Sequence, residues 1–171
     1  SDIYAMSGKP EQLTVALACS NRFPLEAIEQ IYEGLLLACN EYGVDLVGGD
    51  TASSKAGLLL SLTIIGAVEP GKAVYRSGAK TGDLIVVSGD LGGAYMGLQL
   101  LEREKAVFME TPGAQPDLQG FDYILQRQLR PEARRDVVEF LAENAIQPNA
   151  MIDISDGLSS EILHLCTQSN T

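Results

Sequence analysis

The spacing of apolar residues divides the first part of the chain into four elements. In residues 13–19 the apolar side chains recur at every second position, which predicts a strand. Between Pro24 and Gly43 they recur at helical spacing, which predicts an amphipathic helix that begins at a proline and ends at a glycine. Residues 44–49 and 58–68 are apolar runs bounded by Gly or Pro and predict two more strands. The order is therefore strand, helix, strand, strand.

The second half of the chain alternates in the same way. Short apolar runs predict strands, helical spacing predicts helices, and a stretch rich in Pro, Gly and Gln predicts a loop. These elements are a strand at 84–88, a glycine-rich turn at 89–93, a helix at 94–105, a loop at 108–120, a helix at 131–144, a short buried strand at 151–154, and a helix that carries Leu158, Ile162, Leu165 and Cys166.

Domain organisation follows from one segment, residues 69–82, which contains a Pro, three Gly and much of the local positive charge. Such a composition is typical of a connection between domains. We therefore expect an N-terminal domain over 1–70 and a C-terminal domain over 71–171. The chain begins at Ser1 without Met and stops just after an apolar-periodic run, so we expect both domains to be incomplete.

Composition narrows the class of protein. A hydrophobic fraction of 46% and a charged fraction of 20% indicate a folded globular protein, and no run approaches the roughly 20 apolar residues of a membrane span. The net charge of −11 would repel a nucleic acid backbone. An anionic ligand then requires a divalent cation or a helix N-terminus. Cys19, Cys39 and Cys166 form no CxxC pair and no export signal is visible, which predicts reduced thiols in a cytoplasmic protein.

Two carboxylates and a hydroxyl stand together in Asp153-Ile154-Ser155-Asp156-Gly157, where the predicted strand meets the last helix. Magnesium takes oxygen ligands and bridges carboxylates to phosphate oxygens, so this group suits a magnesium–phosphate site. A capping turn, in which Ser155 or Asp156 satisfies the first amides of the helix, explains the motif equally well.

A second polar group, Gly48-Gly49-Asp50-Thr51, follows an apolar strand. Its glycines permit close approach of a ligand and its oxygens suit a cation, but taken alone an ordinary turn is the better interpretation. Arg76, in a glycine-containing loop, is a candidate for phosphate binding, although most loop arginines are simply solvated.

Other signals favour structure over chemistry. The turn at 89–93 matches no phosphate-loop pattern, so we interpret it as a strand-to-helix connection. His164, the only histidine, lies in an apolar-periodic segment and is interpreted as structural. One histidine and three scattered cysteines support neither a nucleophilic triad nor a zinc site.

Four motifs follow one another along nearly the whole chain. They are SDIYAM at 1–6 with Gly8 and Pro10, LVGGDT at 46–51, RSGAK at 76–80 with GD at 82–83, and DISDGL at 153–158. Their order and spacing resemble those of the thiamine-monophosphate kinase family. Other families of the same superfamily (aminoimidazole ribonucleotide synthetases, selenophosphate synthetases and hydrogenase-maturation dehydratases) differ at the last motif.

The resemblance implies an α/β fold of two domains, like that of aminoimidazole ribonucleotide synthetase, with mixed sheets flanked by helices and a homodimer formed through the first domain. It implies Mg²⁺ and ATP as ligands and no side-chain base or nucleophile. By position, the metal ligands would be Asp2, Asp50, Asp153 and Asp156, and the ATP contacts would be Tyr32, Gly49, Asp50, Arg76 and Ser155. A core position is the alternative for Tyr32.

The implied reaction is transfer of the γ-phosphoryl group of ATP to thiamine monophosphate, giving thiamine diphosphate and ADP by direct in-line transfer. The family's thiamine pocket and a further acidic segment find no counterpart here, so we expect the isolated chain to bind Mg·ATP weakly and not to turn over. Two alternatives remain: another ATP-using enzyme of the superfamily, of the purine-precursor cyclo-ligase or hydrogenase-maturation type, and a non-catalytic nucleotide-binding domain.

Overall fold

The computed structural model describes residues 1–111 and 113–171. A 3₁₀ turn at Tyr4–Met6 is followed by strands and helices in mixed order, which confirms the predicted α/β class. The elements are β1 (Lys9–Cys19), α1 (Leu25–Tyr42), β2 (Asp45–Ser53), β3 (Leu59–Ala67), α2 (Gly93–Glu110), α3 (Asp122–Leu129), α4 (Arg135–Glu143) and α5 (Leu158–Ser169).

The described residues form two compact units. Unit 1 comprises Ser1–Arg76 and Gln147–Asp153, and unit 2 comprises Ser77–Ile146 and Ile154–Thr171. The chain therefore crosses from one unit to the other more than once. The assignment of domains to 1–70 and 71–171 stays a prediction.

In unit 1 the strand β1 lies at the centre of a three-stranded sheet of order β2-β1-β3. It pairs in parallel with β2 and antiparallel with β3, so the sheet is mixed. The predicted alternation is confirmed, because Leu13, Val15 and Leu17 are buried, Val15 and Leu17 to 1% and 2% exposure. Leu13 and Val15 form the core of the unit together with Cys39 of α1 and Val44.

Helix α1 has the predicted bounds. Pro24 caps its start in an extended conformation and Gly43, with φ of 66°, ends it in the left-handed region. That conformation favours glycine, since a Cβ is strained there.

Strand β2 differs from the prediction, because it continues through the Gly48–Thr51 group to Ser53. The interpretation of that group as a turn is wrong. The pairing of β1 with β2 jumps from Leu13–Leu46 to Thr14–Gly48, so Val47 forms a bulge just before the glycines. A bulge of this kind changes the direction of the side chains that follow it.

In unit 2 the long helix α2 packs closely on α3. A Cβ built on Gly97 of α2 would collide with the carbonyl oxygen of Ile124 in α3, so the two backbones approach closely at a glycine. Helix α2 runs past the predicted end at 105 and takes in the start of the predicted loop 108–120, of which residue 112 lies outside the described residues. Helix α3 was not predicted, and α4 is shorter than the predicted helix 131–144.

Two predicted strands, 84–88 and 151–154, are wrong. Neither segment is a strand in the structure, and Leu84 and Val86 are 90% and 86% exposed. An extended apolar run becomes a strand only when another strand completes its hydrogen bonds, and no described segment pairs with either run. The described helices also include none with the length and apolarity that a membrane crossing requires.

Candidate active site

A surface cavity of about 470 Å³ lies in unit 1 between α1 and β2. It is lined by Tyr32 from α1 and by the β2 residues Leu46 to Thr51. Three predicted ATP contacts, Tyr32, Gly49 and Asp50, therefore meet in one place. Tyr32 is partly buried and packs against the core of the unit, so the core alternative holds for part of its side chain while the rest lines the cavity.

Gly49 is a glycine because β1 leaves no room for a side chain. A Cβ built there would collide with the carbonyl oxygen of Val15, the residue with which Gly49 pairs across the parallel ladder. The sequence interpretation assigned this close approach to a ligand, whereas in the structure the neighbour is the central strand. The next residue, Asp50, is exposed at the cavity with its backbone held by pairing to Ala16.

Asp153 lies beside the first residues of the chain. Ser1 Oγ donates a hydrogen bond of 2.7 Å to Asp153 Oδ2 across 152 positions of sequence, and Asp2 follows Ser1 directly. The segment that ends at Asp153 is held in place at its start, because Met151 N donates to Tyr75 O at 3.1 Å.

The segment that carries Arg76 is held against the chain start as well. Val74 N donates to Met6 O at 3.2 Å, and Val74 is buried. Three stretches distant in sequence, which carry Asp2, Arg76 and Asp153, are therefore hydrogen bonded to one another within unit 1. The structure brings these stretches together, and the roles assigned to Asp2, Arg76 and Asp153 stay predictions.

Ser155 and Asp156 belong to unit 2 and precede α5. The helix begins after Gly157 and receives no side-chain hydrogen bond at its N-cap. Both Ser155 and Asp156 are exposed, so the interpretation of this motif as a turn in which one of them caps the helix is wrong.

The turn is instead held by Glu161, a residue that the sequence pattern did not identify as a candidate. Asp156 N donates to Glu161 Oε1 at 3.2 Å, and the residue is 3% exposed. Burial by itself raises the pKa of Glu161, but the N–H groups of Asp156, Glu161, Ser155 and Gly157 together hold it below the ordinary value of 4.5. One signal pointed to Glu161: it lies three residues after Leu158, on the apolar stripe of the helix, where a solvated acid is not expected.

The glycine-rich turn at 89–93 leads into α2 as predicted, with φ of 84° at both Gly89 and Gly92. It borders a second cavity, of about 350 Å³, where Arg127 Nε lies 2.9 Å from Asp90 Oδ1. Hydrogen bonding to Asp90, more than burial, raises the pKa of Tyr123 at the same place. The positive and negative side chains that line this cavity therefore cancel in formal charge.

The remaining candidates line neither of the two cavities. His164 is exposed on α5, and its interpretation as a structural histidine stays a prediction. All three cysteines are free thiols, and Cys39 is buried. Burial, followed by the charge of Asp45, raises the pKa of Cys39.

The donor set of unit 1 suits magnesium. In residues 1–111 and 113–171, no three His, Cys, Asp or Glu side chains lie close enough to hold a metal ion among them. Magnesium requires fewer, since it is usually held by one or two carboxylates together with waters and phosphate oxygens. Asp2, Asp50 and Asp153 offer carboxylate oxygens of that kind, and the assignment of four aspartates to magnesium stays a prediction.

Known proteins similar to this chain identify its family and fold. Residues 1–68 match the family described as AIR synthase related protein, N-terminal domain. The chain is 36% identical over 162 residues to the thiamine-monophosphate kinase of Bacillus subtilis, a match that covers 95% of this chain and 47% of the relative. The predicted resemblance to thiamine-monophosphate kinases is confirmed.

Solved structures share the fold. The structure "AaThiL complexed with AMPPCP and TMP" superposes with a TM-score of 0.80 at 33% identity, covering 98% of this chain and 50% of that chain. Hydrogenase maturation protein HypE superposes with a TM-score of 0.68 at 22% identity, covering 96% of this chain and 48% of that chain, which shows the common fold alone. The chain spans about half the length of the relatives it matches.

Proposed function

We propose that this chain supplies the ATP- and magnesium-binding part of a thiamine-monophosphate kinase. The protein would transfer the γ-phosphoryl group of ATP to thiamine monophosphate and release thiamine diphosphate and ADP. The observation that carries the proposal is the cavity in which Tyr32, Gly49 and Asp50 meet. The similarity to kinases of that name and to a structure holding AMPPCP and TMP supports it.

The residues of the cavity would bind and orient the nucleotide. Tyr32 offers an aromatic face, and the backbone of Gly49 is held in place by the central strand. Asp50 presents its carboxylate at the same wall. A rigid strand position suits a site that must fix the donor phosphate for in-line attack.

The other predicted residues would complete the phosphate end. The guanidinium of Arg76 can form two parallel hydrogen bonds to phosphate oxygens, and the Ser155 hydroxyl can donate one. Ser1 holds the carboxylate of Asp153 in one orientation through its 2.7 Å hydrogen bond. Magnesium bound by Asp2, Asp50, Asp153 and Asp156 would neutralise phosphate charge and polarise the transferred group. No side-chain base is required, since the acceptor is already an anion.

The activity is tested in the protein at its natural length. Thiamine diphosphate and ADP are quantified after incubation with ATP, Mg²⁺ and thiamine monophosphate, and with aminoimidazole precursors as competing acceptors. We expect product with thiamine monophosphate alone. ATP consumption only with another acceptor would instead identify a different enzyme of the superfamily. If no acceptor led to ATP consumption, the result would favour a non-catalytic nucleotide-binding domain.

The role of the carboxylates is tested by Asp50→Asn and Asp153→Asn. Loss of about 3 kcal/mol of charge stabilisation in the transition state corresponds to a fall in kcat/KM of about a hundredfold. Folding is expected to be unchanged or slightly improved, because both substitutions relieve repulsion between acids. Asp45→Asn is the matched control, since it changes the same charge in the same strand outside the cavity. Equal activity in all three variants would refute these roles.

A homodimer is part of the proposal. Leu60, Leu62 and Ile64 pair with Leu17, Val15 and Leu13 and share their side of the sheet, yet the β3 residues are exposed. An uncovered apolar row on an edge strand favours contact with a partner. We also propose a cytoplasmic location, which the free thiols support.

A further inference from the structure

Two charged side chains are buried among the described residues, and each holds a loop of unit 2. Glu104, in α2, is 8% exposed and accepts a hydrogen bond of 2.8 Å from Asp117 N. Glu161, in α5, is 3% exposed and accepts from Asp156 N. Burying a carboxylate is costly unless hydrogen bonds compensate it, so both positions require an explanation.

Glu104 is well compensated. Its second partner is Arg103, whose Nη2 lies 2.7 Å from Oε1, so the carboxylate has a cation and an amide. Glu161 has no cation in the described structure, and its Oε2 is buried without a hydrogen-bond partner. It relies on the backbone amides of the turn and on the positive end of α5.

The position of Glu161 leaves the turn's own side chains available. A helix usually receives its cap from a Ser, Thr, Asp or Asn at the N-cap, but here that residue is Gly157. Glu161 satisfies the amides from inside the helix. Ser155 and Asp156, which would otherwise be the natural capping residues, therefore remain exposed.

We propose that Glu161 is a positioning residue that fixes the Ser155–Asp156–Gly157 turn from behind, so that the Asp156 carboxylate and the Ser155 hydroxyl are presented to magnesium and phosphate. The inference rests on the proposed function for the identity of those ligands. The contact between Glu161 and the turn is the hydrogen bond from Asp156 N, and it does not depend on which ligand binds. Without Glu161, Asp156 and Ser155 would turn inward to cap α5 themselves and lose the orientation that binding requires.

The test compares Glu161→Gln with Glu104→Gln in the protein at its natural length. Both variants remove one buried charge that holds a loop in the same unit, but the loop at Glu104 contains none of the proposed ligands. Glutamine keeps the size of the side chain but removes the negative charge and replaces one of the two acceptor oxygens by an NH₂ donor, so the group that accepts from Asp156 N is weaker. Glu161→Asp keeps the charge with a shorter reach and serves as the second variant if the glutamine variant does not fold.

Three quantities are measured: the Mg²⁺ concentration for half-maximal activity, the separate values of KM for ATP and kcat, and hydrogen exchange of the amides of residues 155–157. We expect Glu161→Gln to raise the half-saturating Mg²⁺ concentration by about 10–100-fold, the effect typical of a lost supporting residue behind a metal ligand. Exchange at 155–157 should accelerate, and Glu161→Asp should restore part of both. Glu104→Gln should leave the Mg²⁺ requirement unchanged even if it lowers the melting temperature.

Equal shifts of the Mg²⁺ requirement in Glu161→Gln and Glu104→Gln would overturn the proposal, because they would reveal general destabilisation. Unchanged exchange at 155–157 in Glu161→Gln would overturn it as well. Failure of the proposed function has a different signature: wild-type protein would form no thiamine diphosphate, while hydrogen exchange at residues 155–157 would still decide whether Glu161 fixes the turn.

Discussion

Replacing Gly49 by alanine places a methyl group where β1 and β2 come closest. The new Cβ would collide with the carbonyl oxygen of Val15 and lie 2.8 Å from its carbonyl carbon and 3.0 Å from its nitrogen. All three atoms are backbone, so no side chain can rotate away. Val15 is in the central strand and 1% exposed, and it cannot move without disturbing the core.

Gly49→Ala should lower the free energy of unfolding by about 2–3 kcal/mol, the upper end for overpacking, because the collision is relieved only if the two paired strands move apart. For a protein of 150–250 residues each kcal/mol shifts the melting temperature by about 2–4 °C, so Gly49→Ala should lower it by about 4–12 °C. Gly34→Ala in α1 provides the opposite control. A Cβ at this position meets nothing within 4 Å, and replacing a glycine inside a helix by alanine should raise the free energy of unfolding by about 0.5–1 kcal/mol.

Thermal unfolding of both variants, followed by circular dichroism beside the wild type, measures the two effects. Gly49→Ala should melt lower and Gly34→Ala higher. Mg·ATP binding by Gly49→Ala should weaken at temperatures where the variant is still folded, because the residue lines the cavity. An unchanged melting temperature for Gly49→Ala would refute the argument that this glycine serves the contact between strands.

Three further predictions concern other parts of the chain. Gly97→Ala should lower stability by about 1–3 kcal/mol in urea denaturation, since its Cβ collides with Ile124 O; an unchanged midpoint would contradict the close packing of α2 on α3. The N–H of Asp117 is the main group that holds the pKa of Glu104 below 4.5. The ionised Glu104 carboxylate therefore stabilises the folded protein above pH 4.5, and this contribution is lost as the pH falls through the lower pKa of the folded state. Urea midpoints from about pH 5 to about pH 3 should therefore fall less steeply in Glu104→Gln than in the wild type, and equal slopes would count against this contribution. Leu62→Lys should turn a dimer into monomer in sedimentation velocity, whereas a wild-type monomer would remove the basis for the proposed interface.

Local patterns predicted the elements that local forces determine. Apolar residues at every second position, Leu13, Val15 and Leu17, predict the central strand. Apolar residues at helical spacing between Pro24 and Gly43 predict α1. Both signals arise from burial of one face and from backbone preferences of the residues themselves. They need no knowledge of distant parts of the chain.

Two of the errors share one physical origin, since they depend on partners distant in sequence. Residues 84–88 have the composition of a strand, but no described strand pairs with them. The Gly48–Thr51 group resembles a turn, yet pairing with β1 keeps it extended. Glu161 is a different case, because its partner Asp156 is only five residues away. Its role depends on its burial, which the sequence pattern indicates only by an acidic residue on an apolar stripe.

The candidate site was predictable only as a set of residues in order. Asp153 and Asp156 stood out by local chemistry, whereas Asp2 was assigned through the resemblance alone. The structure adds that Ser1, beside Asp2, is hydrogen bonded to Asp153, a contact across 152 positions that no local pattern contains. Tyr32 gains support in the same way from the cavity that it shares with Asp50.

Calorimetric titration of Mg·ATP into the protein at its natural length, as wild type, Asp50→Asn, Asp153→Asn and Asp45→Asn, tests the central claim most directly. The account predicts magnesium-dependent binding to the wild type and to Asp45→Asn. Affinity should fall by about a hundredfold in the other two variants, for a loss of about 3 kcal/mol, with their melting temperatures retained. Undiminished magnesium-dependent affinity in both Asp50→Asn and Asp153→Asn would contradict it, because these carboxylates would then not hold the metal and nucleotide.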